Sequence, residues 1–526
     1  MKRKVFLFFI IVFIFMAYFV KAELTIDGGA LIRPVGLGSQ AQFGTRVALG
    51  EDYAFIGAPG HLTTNVAVNG TVFVAKREVG WAITQKLIAT DGASGHRFGS
   101  SVAIDGNWAV VGASGAEAVY VYELVGSIWT FRQKLVASPN NPGSIFGSSV
   151  AISGTKIVVG AYGSNSYSGR VYVFNYDGFQ WAQTQILSVA DGATYDFFGY
   201  VLAISDNTLV VGAYGDDETG GTNFGSTYLF YFDGELWNYG QKLKAPDGGS
   251  GDNFGESVDI DGSTLVIGAS RDDDKGSNAG AAYVFNGVSD QWNFQSKLAG
   301  SDSHAGDWFG SSVGVNGNLI VAGSPLWDDT NGVTNRGTLY PFIFDGSSWL
   351  EQDKLLPPTP WGSYDDNFGN SVTLTSENIL GGAKLADWKG RDAGDVYIYE
   401  LTYSEGCMQD LDCNDNIACT TDVCNVGTCL HSPQHDLCND GAFCNGAESC
   451  NTLNGCVAGT SPCGAGQTCN EGMDSCQSAC NTDADTVPYG DCDGEIESNE
   501  ITNYIEGYYS GNVNIEELSS VLDAYM

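Results

Sequence analysis

The sequence predicts a mainly β fold: a seven-bladed β-propeller over residues 23–403, a disulfide-rich spacer over 407–480 and a small α-helical module over 481–526. Three observations carry this. Phe-Gly pairs recur at Phe43, Phe98, Phe146, Phe198, Phe254, Phe309 and Phe368, spaced 48 to 59 residues apart, the range of propeller blades and solenoid units. A glycine follows each of these Phe residues after 14 positions, from Gly57 and Gly112 through Gly382. All 14 cysteines lie at or after Cys407, which marks a domain boundary near Gly406.

The chain opens with Lys2, Arg3 and Lys4, an apolar run over residues 5–20, and small residues around Ala22. That order predicts a secretory signal over residues 1–22. The alternative is an uncleaved anchor, for which 16 apolar residues are short. No other stretch is long and apolar enough to cross a bilayer.

Each repeat then offers four strands. The first follows Phe-Gly, as at residues 98–104. The second is an apolar run ending near the spaced glycine, as at 108–113. The third alternates aromatic and aliphatic residues, as in Val119-Tyr120-Val121-Tyr122 and Val396-Tyr397-Ile398-Tyr399. The fourth runs from Trp to Gln-Lys-Leu or a variant, as at 81–87, 129–135, 237–243 and 292–298. Period-two β-branched and aromatic residues indicate strands. Asp105-Gly106, Asp261-Gly262 and Asn316-Gly317 join first to second strands, and Asp177-Gly178, Asp233-Gly234 and Asp345-Gly346 join third to fourth. Such pairs suit type I′ hairpins, whose two central residues need positive φ. Four antiparallel strands repeated radially make a propeller. The glycine of Phe-Gly is expected to let the innermost strands crowd near the axis. The Phe368 repeat lacks its Trp…Lys-Leu strand, whereas residues 24–35 precede Phe43 without a blade of their own. The N-terminal segment is therefore expected to supply that outer strand and remove an exposed edge.

Phe-Gly followed by Gly57-Ala58-Pro59, and elsewhere by Gly-Ala-Ser or Gly-Ala-Tyr, resembles the FG-GAP repeats of integrin α-chain propellers and their prokaryotic relatives. The resemblance covers about residues 24–403 and implies extracellular recognition by a seven-bladed propeller. Integrin-type calcium loops are not expected here, because first and second strands are joined by short hairpins. Only Asp259-Ile260-Asp261-Gly262 resembles such a loop faintly.

With 62 acidic and 24 basic residues the net charge is −38. This excludes the basic footprint of a nucleic-acid partner. It suits calcium, a cationic partner or a salty medium. Connectivity puts the second-to-third and the fourth-to-first loops on one face, and both kinds are acidic. The former hold Asp216, Asp217 and Glu218; Asp272, Asp273 and Asp274; Asp328 and Asp329; Asp387 and Asp392. The latter hold Asp191, Asp196, Asp247, Asp252, Asp302, Asp307, Asp365 and Asp366. Two readings stand: a cation- or partner-binding face, or turn residues retained for Asp's own backbone hydrogen bonds.

Catalytic motifs are sparse. Gly310-Ser311-Ser312-Val313-Gly314 matches the G-x-S-x-G elbow but falls inside an expected strand, not a strand-to-helix turn. Only five histidines occur, and His61, His96 and His304 lie in different repeats. No phosphate loop, dinucleotide fingerprint or HExxH motif appears. The chain is therefore expected not to be an enzyme, although acidic loops leave a carboxylate pair possible.

Residues 407–480 have cysteines every few positions and too few large apolar residues for a core, so disulfides must replace it. Cys413, Cys419 and Cys424, with Thr420 and Asp422 between them, resemble the C-T-x-D-x-C repeats of slime-mould and bacterial surface proteins, which implies a stalk or spacer. Cys429, His431, His435 and Cys438 have zinc-like spacing, but an oxidised module favours disulfides. Their pairing cannot be read from the sequence.

In the last segment, Asp491, Asp493, Gly494, Glu495, Ile496 and Glu500 fit an EF-hand loop from its third position to its twelfth. Tyr489 cannot serve as the first ligand; Asp485 substitutes for it, with Asp483 a second candidate. Helices are expected at about 498–508, with Ile501, Tyr504, Ile505 and Tyr508 on one stripe, and at about 515–524. The pair resembles dockerin and related EF-hand modules, with one ligand-competent loop instead of two.

Together these features lead to one expectation: a secreted or surface recognition protein that binds an extracellular protein or glycan. Ca²⁺ is expected at the C-terminal loop, with the propeller face a second candidate, and a docking partner is expected for the last module. The competing expectations are a glycan-active hydrolase or lyase and a structural envelope or matrix subunit. An Arg, His, Tyr and Glu cluster around the channel would favour the enzyme.

Overall fold

The computed structural model describes residues 23–404, apart from 63–68, 219–220, 289, 330–331, 359–364 and 388–390. Beyond 404 it describes only 419–425, 428–434, 438, 449–451, 455–457, 467–470 and 475–478. The expected signal segment, Asp485, Asp491, Asp493, Glu495, Glu500 and both C-terminal helices lie outside the described residues. Among those described, no helix is long and apolar enough to cross a membrane.

Residues Ala22–Glu405 form one compact unit built from blade-like antiparallel sheets. In the Phe254 repeat the strands are Ser257–Asp261, Thr264–Ala269, Ala281–Val288 and Gln291–Leu298, hydrogen-bonded in chain order. The Phe146, Phe198 and Phe309 repeats have the same order. The Phe43 and Phe98 repeats are linked into one eight-stranded sheet by a single parallel bridge from Gly70 to Phe98. The same bridge recurs from Gly169 to Phe198, Gly280 to Phe309 and Gly337 to Phe368.

The expected closure is present. Glu23–Ile26 and Ala30–Ile32 both pair antiparallel with Asp395–Ser404 of the Phe368 repeat, in the place of its outer strand. Arg33 donates to Asp395, with Nε 2.6 Å from Oδ1. One core cluster joins Ile32, Phe43 and Phe73 to Leu380, Val396 and Ile398.

The Phe side chains of Phe-Gly are fully buried and meet third-strand aromatics edge-on, as in Phe98 on Tyr120 at 5.3 Å and Phe146 on Tyr172 at 5.3 Å. Their glycines do more than permit crowding at the axis. Gly99 has φ +88°, and the carbonyl of Gly99 sits 2.2 Å from where a Cβ on Gly57 would stand. The two spaced glycines are thus the two halves of one seam between neighbouring repeats. A third glycine, ahead of the third strand, packs on the next Phe; Gly225, for instance, has φ +82° and lies against the Phe254 backbone.

Two hydrogen-bond ladders tie the repeats further. Gln133 accepts from the Trp181 N–H at 2.8 Å and donates to its carbonyl at 2.8 Å. Gln85, Gln185 and Gln241 do the same to Trp129, Trp237 and Trp292. This accounts for Gln in Gln-Lys-Leu: both polar groups of a neighbouring outer-strand residue are satisfied. On the inner strands, Ser101, Ser149, Ser257, Ser312 and Ser371 each donate to the Phe-Gly glycine carbonyl of the next repeat. Ser312, the serine of the G-x-S-x-G match, is therefore a seam residue in the strand Ser312–Asn316.

The hairpin expectation needs one correction. Asp105 pairs with Trp108 and Asp261 with Thr264, so each Asp closes its strand and Gly106 or Gly262 is the first loop residue. In each of these pairs only the glycine has positive φ. The Asp carboxylates instead accept N–H groups of the next repeat: Asp105 from Gly154 at 2.5 Å and Asp261 from Gly317 at 2.6 Å.

In the cysteine-rich region the described stretches are short hairpins, such as Thr420–Asn425 with Thr428–Pro433. Disulfides join Cys419 to Cys450 and Cys438 to Cys456, which removes Cys438 from the zinc alternative.

Candidate functional site

The second-to-third and fourth-to-first loops do share one end of the sheets, because backbone bonds join them: Gly163 N–H to the Ser144 carbonyl, Gly215 to Asp196, and Arg271 to Asp252. Their carboxylates are engaged by protein donors. Lys297 Nζ lies 2.8 Å from Asp247, 2.8 Å from Asp272 and 2.6 Å from Asp274, and the Tyr283 hydroxyl reaches both Asp247 and Asp272. Lys242 holds Asp191 and Asp216 in the same way, with Tyr228 beside them. Simpler versions are Lys134 and Tyr120 on Asp91, and Lys354 and Tyr340 on Asp302. Burial alone would raise the Asp247 carboxyl, but the Lys297 and Tyr283 hydrogen bonds hold it below the usual range.

The remaining acidic positions tie their own loops. Asp217, Asp273 and Asp328 accept the N–H of Asn223, Asn278 and Asn335, three residues with φ near +50°. Asp329 binds Arg336 at 2.5 Å. Among the described residues no three carboxylates converge within 4.8 Å. For these residues, the geometry matches the turn-forming reading of the acidic loops.

A different feature occupies the axis at this end. In every repeat the residue just before Phe-Gly is left-handed: Gln42, Arg97, Ile145, Phe197, Asn253, Trp308 and Asn367 have φ from 55° to 60°. This turn brings Gln42, Arg97 and Ile145 to the mouth of the central channel. A cleft of about 650 Å³ opens there, lined by Arg46, Arg97, Tyr162, Tyr200, Asp392 and hydroxyl-bearing residues such as Ser100 and Ser148. Arg271 stacks on Trp308 with 5.5 Å to the ring centroid. Lys384, at the position after Gly-Ala, is pushed below the usual lysine range by burial and then by Arg46. Glu256 accepts from Ser270 beside this group.

An aromatic row runs outward from the mouth. Tyr200 meets Tyr162 at 5.5 Å and Tyr214 at 4.6 Å; Tyr214 stacks on Phe197 at 4.9 Å and 11°. Phe197 meets Tyr167 at 5.8 Å, and Tyr167 stacks on exposed Tyr195 at 5.6 Å and 18°. Burial raises the hydroxyls of Tyr162, Tyr200 and Tyr214 above the usual tyrosine range. None of the described histidines lines the cleft; His61 is buried, and burial, then Lys86, lowers it to about 4. Sequence reasoning missed this mouth. Its signal is the varied, often large residue ahead of each constant Phe-Gly.

Residues 81–122, 129–174, 181–230, 237–285, 292–344 and 349–399 match the FG-GAP repeat, more than half of the chain. The chain belongs to the FG-GAP repeat family. Each matched FG-GAP segment starts on an outer strand and ends on the third strand of the next sheet, so the sequence repeat is offset by one strand from the sheet. Residues 23–77 have that same strand order, with the N-terminal strands first. No curated protein matches the chain.

Proposed function

We propose that this FG-GAP protein is a secreted or cell-surface recognition protein whose seven-bladed propeller binds an extracellular protein or glycan at its loop end. The observation that carries the reading is the axial mouth, where a cleft, cationic side chains and a partly exposed aromatic row meet on a scaffold tied by seam hydrogen bonds. FG-GAP repeats and disulfides suit an oxidising extracellular setting. The cysteine-rich segment acts as a spacer. The C-terminal segment binds Ca²⁺ through Asp485, Asp491, Asp493, Glu495 and Glu500 and serves as a docking module. Calcium at the propeller loops is not part of the proposal, since those carboxylates already have protein partners.

A second reading has one observation behind it. Arg46, Arg97, Tyr200 and Glu256 gather about the channel, the setting expected of a glycan-active hydrolase or lyase, though without histidine. Both readings meet one experiment: the full chain is tested on arrays of extracellular proteins and glycans and for turnover of labelled polysaccharide. Binding without turnover, lost in Arg97→Gln/Tyr195→Ala and kept in Phe179→Ala at the hairpin end, supports recognition. Turnover lost in the same double variant supports the enzyme. Binding lost in Phe179→Ala alone refutes the loop-end assignment.

A further inference from the structure

Among the described residues, most basic side chains have a carboxylate partner; Lys297 alone has three. Of those without an ion pair among the described residues, Arg46, Arg97, Arg271 and Lys384 stand together about the axial mouth, whereas Lys86, Lys156, Arg170 and Lys275 do not line it. Arg46 and Arg97 are exposed and line the same cleft. The nearby carboxylates cancel only part of this charge: Glu256 is one carboxylate among the four cations, and Asp392 lies with Arg391 at the rim. Clustered cations that outnumber their counter-charges, in a cleft walled by protein, form a site for an anion. Guanidinium groups favour a planar carboxylate, which they grip with two parallel hydrogen bonds.

The rest of the lining narrows the ligand further. Ser39, Thr45, Ser100, Ser114, Ser148 and Gln42 offer hydroxyls and amides, while Pro59 and Ile145 are the aliphatic contacts beside the rings of Tyr162 and Tyr200. That balance suits a ligand rich in hydroxyls better than a peptide side chain. The row from Tyr200 and Tyr162 to Tyr167 and Tyr195 adds flat faces in line with the cleft. Around the mouth, the net charge of −38 and the outer aspartates repel a polyanion, but a single terminal carboxylate meets that repulsion once.

Resting on the recognition reading above, we infer that the mouth binds the acidic end of an extracellular glycan. The carboxylate of a terminal uronic-acid-type sugar lies on Arg46 and Arg97, and the following sugars lie along the tyrosine row.

The test is calorimetric titration of the full chain with an aldotriouronic acid, which carries one glucuronic acid at the end of two xyloses, and with xylotriose, a neutral trisaccharide. The acid is expected to bind at least about tenfold more tightly, since a hydrogen bond to a charged group is worth that much. Arg46→Gln and Arg97→Gln should each weaken the acid by about tenfold, and Tyr195→Ala should weaken both sugars. Tryptophan-fluorescence melting should be unchanged in all three, which separates binding from folding. Equal affinity for the neutral sugar, wild-type affinity in the double arginine variant, or no binding of the acid at millimolar concentration each overturns the inference. If the acid fails while another array ligand binds and is lost in Arg97→Gln/Tyr195→Ala, the acidic-sugar assignment falls and the recognition reading stands.

Discussion

Replacing Lys297 by Met tests whether the acidic loops are held by internal cations. Met keeps most of the length of the side chain and removes the charge, which also lies over the Tyr283 ring at 5.1 Å. Asp272 is 4% exposed as a side chain, so losing its ammonium partner leaves a carboxylate with little solvent. Breaking a buried pair in this way costs about 3–5 kcal/mol. The Tyr283 hydroxyl still reaches Asp272 and offsets part of that loss. Asp247 and Asp274 are 45% and 68% exposed, so each contributes less than about 1 kcal/mol. The expected loss is about 3 kcal/mol. All 11 tryptophans precede Cys407, so urea unfolding followed by tryptophan fluorescence reports this unit without the cysteine-rich segment. The vacated position has three carboxylates around it, and Ca²⁺ accepts such oxygen ligands. Millimolar Ca²⁺ should therefore restore about 1 kcal/mol or more to Lys297→Met and leave the wild type's propeller transition unmoved. A loss below about 1 kcal/mol, or an equal calcium response in the wild type, refutes the reasoning.

Three further outcomes are expected. Gly57→Ala should lower the urea midpoint severely, because its Cβ would stand 2.2 Å from the Gly99 carbonyl, whereas Gly80→Ala, with nothing within 4 Å, should be near neutral. Gln133→Ala should cost about 1–3 kcal/mol in the same assay, since it leaves the Trp181 N–H and carbonyl without their side-chain partner. Burial raises Asp259 to about 7 although Val315 donates to it, so the folded state holds this proton longer than the unfolded chain. Its contribution to stability falls as pH rises from about 4 to 7. Asp259→Asn keeps the acceptor without the charge, so it should match the wild type near pH 4 and exceed it by roughly 2 kcal/mol or more at pH 8 in a urea series; equal stability at both ends would exclude the raised carboxyl.

Much of the architecture could be read in the chain because each strand type carries its own period-two pattern and each seam its own glycine. The outer strand Trp81–Leu87 begins and ends where Trp and Gln-Lys-Leu place it. Closure was legible because the Phe368 repeat lacks a strand that the N-terminus has to spare. The Asp-Gly turns shifted by one residue because an Asp that accepts from the next repeat must sit at a strand end, and that partner is distant in sequence. The acidic loops left two readings open for a related reason: Asp216 and Lys242 meet only after the sheet folds. The axial mouth was hidden more deeply. Its cleft draws residues that are distant in sequence from five of the repeats, from Ser39 to Asp392, and the left-handed turn before Phe-Gly places Gln42, Arg97 and Ile145 among them.

The N-terminal strand has a consequence for how this chain is made. Its pairing partner lies 377 residues away, as in the bond from Thr25 to Thr402. At ordinary synthesis rates roughly 20 to 75 s separate the emergence of the two. For that interval every earlier repeat can be assembled while the ring stays open, with two bare edges facing each other. A second copy caught at the same stage offers the same two edges, so crowded synthesis favours strand-exchanged dimers, and dilute synthesis favours the closed monomer.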